Sequence, residues 1–225
     1  MAGRPPASSR PRVPRVSAPD LPDHLDEVPA LRSRADLLGV VVTGVSGEVD
    51  AAHCRLIESR VAAASGPAAG HVDVTGATFL DVAVDGLRAM ALVARDASWR
   101  NVTVGGGRVA TLDGQRARWD SVVVRDVHID YLSLPSAELT DVLFVDCTFG
   151  TVDLPEARLA RVAFEGCRAD EVDTRGLRCD DLDLRGLEAL AFTDVRALTG
   201  AWLQPRQAEL HAAAFAQALG IRICA

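Results

Sequence analysis

Residues 137–166 read, in blocks of five, AELTD VLFVD CTFGT VDLPE ARLAR VAFEG. The first and third residues of every block are apolar and the other three are mostly polar. Followed in both directions, the first-position column runs Val72, Ala77, Val82 and onward to Phe192, and 24 of its 25 members are apolar, Gly107 being the exception. The column two residues later, from Val74, holds 22 apolar residues of 25, broken by Gly114, Thr174 and Asp194, whereas the remaining three columns together hold 15 of 75. A period of five matches neither a helix nor a flat strand. It describes a short extended run, with residues two apart pointing the same way, followed by a corner. The corner columns are rich in Gly, Asp, Asn, Ser and Thr, as corners require.

A longer period lies over the first. Every twentieth first-position residue falls in a set of like size: Ala77, Ala97, Ala117, Ala137 and Ala157 in one, Val82, Val102, Val122, Val142 and Val162 in another. Four pentads therefore make one turn of a four-sided coil, and residues 20 apart stack at about 4.8 Å, the spacing of paired strands. The expectation is an all-β solenoid.

Segments such as Ala137-Glu138-Leu139-Thr140-Asp141 and Cys147-Thr148-Phe149-Gly150-Thr151 resemble the pentapeptide-repeat family, and the resemblance covers most of the chain. It implies a right-handed quadrilateral β-helix. The position between the two inward residues departs from the family pattern, being often Arg, Thr or Ala, with Asp at Asp73, Asp113, Asp153, Asp173 and Asp183.

The flanks set the domain plan. Residues 1–36 read as a disordered Pro/Arg-rich tail and a lead-in, helical or irregular between Asp20 and Asp36. The repeat region spans 37–203 and is regular from about residue 72; a weaker phase is traced upstream through Leu37, Val42, Ala52, Ile57 and Ala62, with Pro67 interrupting it. About eight coils are expected, the first two imperfect. Over 204–225, Gln204-Pro205 starts a helix that Gly220 stops, and Ile221 and Ile223 resume a strand. This segment is expected to cap the exposed end of the solenoid, or to join two copies as a homodimer, as the family also does.

Catalytic chemistry is not legible. The histidines sit in no metal or nucleophile motif, Gly105-Gly106-Gly107 lacks the Lys and helix of a phosphate loop, and unbroken pentads leave no substrate cleft. The expectation is a non-enzymatic protein with no cofactor. Its net charge of −7 excludes direct nucleic-acid binding as the default, and no apolar run is long enough for a membrane span. Five cysteines, odd in number and without a C-x-x-C pair, indicate a cytoplasmic, reducing setting; Cys147 and Cys167, 20 apart, should stack as core thiols.

What remains is surface. One side carries Asp85, Asp126, Asp146, Glu165 and Asp183 against Arg125 and Arg185, so it is mildly acidic, and turns Val123, Leu143 and Val145 outward; Val123, Leu143, Val145, Asp126 and Asp146 therefore form the candidate protein-contact surface. The partner is an unidentified protein. Some relatives imitate duplex DNA and bind DNA gyrase, protecting it from quinolones, which makes gyrase the alternative partner; the arginines mixed among the acids weigh against it.

Overall fold

The computed structural model describes residues 10–62 and 68–223. The chain winds into a parallel solenoid of about eight turns, mostly strand, with a short helical segment at its C-terminal end. From Phe79 as far as Phe192 the strand residues pair with those 20 places along: Phe79 with Trp99, Trp99 with Trp119, Val142 with Val162, Val152 with Val172.

The corners explain much of the sequence. Residues 76, 81 and 86 all have φ near +65° or +54°, and so do their equivalents one coil on, Asp96, Asn101 and Gly106. Gly, Asp and Asn tolerate this left-handed conformation, whereas β-branched side chains do not. The fourth corner has no left-handed residue, and only there does the chain place Thr111, Tyr131 and Thr151. The first corner is a tight turn closed by Ala77 N–H to Val74 O (3.0 Å), and likewise by Ala137 to Leu134 and Ala157 to Leu154 (both 3.2 Å). Pro135 and Pro155 occupy the position of that turn which favours a fixed φ, ahead of left-handed Ser136 and Glu156. Of the aspartates between inward residues, Asp73, Asp113, Asp153 and Asp173 precede this corner. Asp73 and Asp173 accept the N–H groups of Thr75 (2.8 Å) and Arg175 (3.0 Å), two residues on.

The two inward columns fill the coil by complementary volumes. Phe79, Trp99 and Trp119 stack at 5.7 and 4.9 Å beside Val84, Val104 and Val124. Further down the large groups change sides: Leu139 and Leu159 stand beside Phe144 and Phe164, themselves stacked at 4.9 Å. All four exceptions to the columns have a cause. A Cβ on Gly107 would lie 2.1 Å from Leu87 O, and one on Gly114 would lie 2.7 Å from Leu134 Cδ2. Buried Thr174 donates to Asp194 O (2.7 Å) and accepts the Asp194 N–H (3.1 Å), and Asp194 caps a 3-10 turn at Val195–Leu198.

The N-terminal coils differ from the traced phase. Asp26 pairs with Val40, Leu37 with Leu56, and Leu56 with Phe79, so successive repeats there are 14, 19 and 23 residues. The 19-residue coil moves the inward positions back by one: Ala51, Leu56 and Val61 are buried, and Ala52, Ile57 and Ala62 are only half-buried. The lead-in contains the strand Asp26–Val28 and no helix. Pro67 lies outside the described residues.

At the other end, one helix was expected and two short ones are found, α1 at Pro205–Leu210 and α2 at Ala212–Ala218. His211 breaks them, buried edge-on against Phe192 (4.9 Å). Gly220 (φ +81°) ends α2 as expected. Ile221 and Ile223 are exposed and form no strand, because no further coil offers them a pairing edge. The segment docks on the last coil through polar groups: Gln207 Nε2 donates to Leu184 O and Leu187 O, and Gln204 Nε2 to Arg185 O, all at 2.8 Å. These are carbonyls that the last coil leaves without a following strand. No described helix is long and apolar enough to cross a membrane.

Candidate functional site

The second corner of each coil builds a straight ladder up the outside of the solenoid: Asp81, Asn101, Ser121, Asp141, Arg161 and Asp181, every one left-handed. Because strands pair in register, these side chains lie one coil apart and bond along the ladder. Asn101 Nδ2 donates to Asp81 Oδ1, and Arg161 grips Asp141 with two hydrogen bonds of 2.6 Å. The arginine holds the Asp141 carboxyl below its ordinary range, against burial and with help from an N–H of Arg15.

That N–H comes from the N-terminal tail. Residues 1–9 of the expected disordered tail lie outside the described residues, but from residue 10 the chain is ordered, running along the corner ladder against the direction of coil growth. Arg12 N–H donates to Asp181 Oδ1 (3.2 Å) while its guanidinium pairs with Asp181 and Asp180. Arg15 N–H donates to Asp141 Oδ1 (2.8 Å). Ser17 Oγ bonds Asn101 Oδ1 (3.0 Å), Asn101 Nδ2 reaches Ala18 O (3.4 Å), and Asp20 N–H donates to Asp81 Oδ1 (3.1 Å). Pro14 is buried. Composition alone argued for disorder; corner carboxylates that accept backbone N–H groups supply the ordering that composition cannot show. The missed signal is a repeat of its own: Pro11-Arg12-Val13 is followed by Pro14-Arg15-Val16, a three-residue period, and Arg12, Arg15 and Asp20, whose N–H groups reach the ladder, each follow a proline.

The candidate contact residues separate into two groups. Val123 and Val145 point outward but are buried, and Leu143 is half-buried, so the expected exposed apolar cluster does not form. In-register stacking is the reason. Val123 sits between Thr103 and Leu143, and Val145 between Arg125 and Glu165, and side chains about 4.8 Å apart cover one another. Asp126 and Asp146 are exposed, as left-handed residues of the third corner (φ 55° and 52°). Among the described residues neither makes an ion pair.

Four other acids are matched with arginines across coils: Asp96 with Arg116 (2.7 Å), Asp130 with Arg108 (2.9 Å), Asp113 with Arg95 (2.6 Å) and Glu138 with Arg118 (3.7 Å). His128 Nε2 lies 2.7 Å from Asp130 Oδ1, and Tyr131 donates to Asp153 (3.0 Å), so that patch is a set of solvated pairs. Cys147 and Cys167 stack in the core, with Cys147 N–H 3.5 Å from Cys167 Sγ. The contact with Cys167, together with burial, pushes the Cys147 thiol far up. Burial pushes Cys54 up to about 11. Cys224 is outside the described residues. Gly105, Gly106 and Gly107 lie inside the long strand run Ser98–Asp113 rather than in a loop.

No family model and no curated protein matches the chain. Among solved structures, it is similar to two trypsin-treated variants of QnrB1, a plasmid-mediated fluoroquinolone resistance protein. One aligns over 90% of this chain and 100% of its own at 14% identity and a TM-score of 0.24; the other aligns over 87% and 100% at 15% identity and a TM-score of 0.23. At that level of likeness, what the protein is rests on its own coil, corners and docked N-terminal tail.

Proposed function

We propose that the chain is a pentapeptide-repeat protein that acts without catalysis, as a rigid rod gripping a protein partner along one long side. The observation that carries this reading is the third-corner column. Asp126 and Asp146 stand exposed one coil apart, with Glu165 nearby, and no arginine of the described chain neutralises them. Asp85 and Asp183 on the same side are taken up by Arg60 and Arg185, so the Asp126–Asp146 pair is the part of this side whose carboxylates are free to meet a basic partner. The four described cysteines are all free, which suits a cytoplasmic setting.

The same column supports the DNA-imitating reading, with DNA gyrase as the partner, while the arginine-matched sides weaken it. One experiment addresses both. Asp126→Arg with Asp146→Arg reverses the column, and Arg161 shows that an arginine is accommodated at a left-handed corner (φ 53°). Proteins retained by the immobilised wild-type rod should be lost on the double variant, with the circular dichroism melt unchanged. Gyrase supercoiling with and without a fluoroquinolone, at micromolar rod, reads the alternative directly. Equal retention by both rods removes the acidic-column reading.

A second contact surface lies at the C-terminal end, where Leu190, Leu210 and Leu219 are 72%, 67% and 77% exposed. Two copies meeting there account for so much apolar area in solvent. Leu210→Glu with Leu219→Glu should shift the sedimenting species from twice the chain mass to once.

A further inference from the structure

We infer that the second-corner ladder is a binding groove for basic polyproline-II peptides, and that the chain's own residues 11–20 are its resident occupant, closing it against a partner's Arg- and Pro-rich segment. The inference is independent of the acidic column at Asp126 and Asp146.

Two repeats in register carry it. A polyproline-II helix rises about 3.1 Å per residue and turns every three residues, so one turn spans roughly 9.3 Å. Two coils of the solenoid span about 9.6 Å. The bonding follows that ratio. Arg12 meets Asp181 and Arg15 meets Asp141, three tail residues for two coils. Ser17 and Ala18 meet Asn101, two coils further, and Asp20 meets Asp81 on the next. From Arg12 to Ala18 the matched pitch returns the same face of the peptide to the ladder at every second coil, and the step from Ala18 to Asp20 covers a single coil. A docked segment of this kind loses little conformational freedom on binding.

The chemistry of recognition is generic to the class. The ladder reads backbone N–H groups with carboxylates, Asp181, Asp141 and Asp81 each accepting one. It adds one charge contact, Arg12 to Asp180 and Asp181. None of these contacts depends on the tether beyond Asp20. Any Pro-Arg-x-Pro-Arg segment offers the Asp181 and Asp141 donors and the same charge at the same spacing. The tether holds the resident strap at an effective concentration on the order of millimolar, so an incoming segment competes against a built-in one.

The test uses the full chain and a fluorescein-labelled synthetic peptide, RPRVPRVSAPDL, the sequence of residues 10–21. Arg12→Glu with Arg15→Glu, made in the tail of the full chain, sets carboxylates against the acidic ladder and should open it without altering the groove. This variant should bind the peptide about tenfold or more tightly than wild type, whose strap competes. Asp181→Asn added to the opened variant, an amide that keeps the left-handed corner, should reduce that binding several-fold with an unchanged melt. A control peptide with its prolines replaced by glycine keeps the charge and loses the pitch, and should bind weakly. The inference is overturned if the opened variant fails to bind at millimolar peptide, if it binds no better than wild type, or if the glycine peptide binds equally well, which would reduce the contact to charge. Dimers formed by strap exchange, seen in sedimentation of the wild type, would assign the groove to a second copy and overturn the partner assignment.

Discussion

At Gly107 an added Cβ would meet the Leu87 carbonyl at 2.1 Å with φ at +109°, while at Gly106, one residue earlier, it would meet nothing within 4 Å and φ is +64°. The two alanine substitutions should therefore differ. Gly106→Ala costs only the left-handed penalty, about 1–2 kcal/mol, and Gly106→Asn less. Gly107→Ala must move backbone and should cost several kcal/mol, at the exceptional end for a single substitution. Urea melts of the pair measure the difference, and equal costs would contradict the close approach. Titration adds a second residue-scale expectation. Hydrogen bonds from Arg175, opposed by burial and helped by Thr193, hold buried Asp173 down to about 2 from 3.8. Its folded value is the lower one, so its contribution is complete above 3.8 and is lost as pH falls from there toward 2. Asp173→Asn should flatten the acid limb of the stability curve in that window.

Among elements, the C-terminal cap and the strap show how far the sequence could be read. The pentad columns placed the coil, because each inward position is a binary choice repeated many times. They also marked Pro205 and Gly220 as helix ends, since those signals are local. The break at His211 was hidden, because it depends on burial against Phe192, a contact between distant residues. The 19- and 23-residue coils misled the upstream phase for the same kind of reason: register is set by the neighbouring coil and not by the segment itself. Of the candidate contact residues, Asp126 and Asp146 are exposed and Val123 and Val145 are buried, because column counting gives direction and says nothing of cover by stacked neighbours. Gln207 tests the cap. Gln207→Ala removes the side-chain donor from the Leu187 carbonyl, while Leu184 O keeps the Leu187 N–H, and should cost about 1–3 kcal/mol, with the helical circular dichroism signal lost before the strand signal on heating.

Across the whole molecule, stability is a sum of coil-to-coil interfaces, each coil touching only the ones above and below. A cavity at mid-rod therefore weakens two interfaces at once. Leu139→Ala, at a buried site between Trp119 and Leu159, should cost about 2–5 kcal/mol. The same change at the equally buried Leu187, on the last full coil, should chiefly loosen the end, with amide exchange rising from Leu187 to Phe192 while the coils around Trp99 stay protected.

The rod and its strap also constrain how such a chain can lengthen. Duplicating one twenty-residue unit would add a coil with every inward side chain in place, yet it would leave the tail half a turn out of step with its anchors. Only an even number of added coils, accompanied by a Pro-Arg-Val triplet for each pair, preserves both. Over Arg12 to Arg15 the two repeats are geared at three residues to forty, so growth in steps of two coils keeps that part of the tail on its anchors.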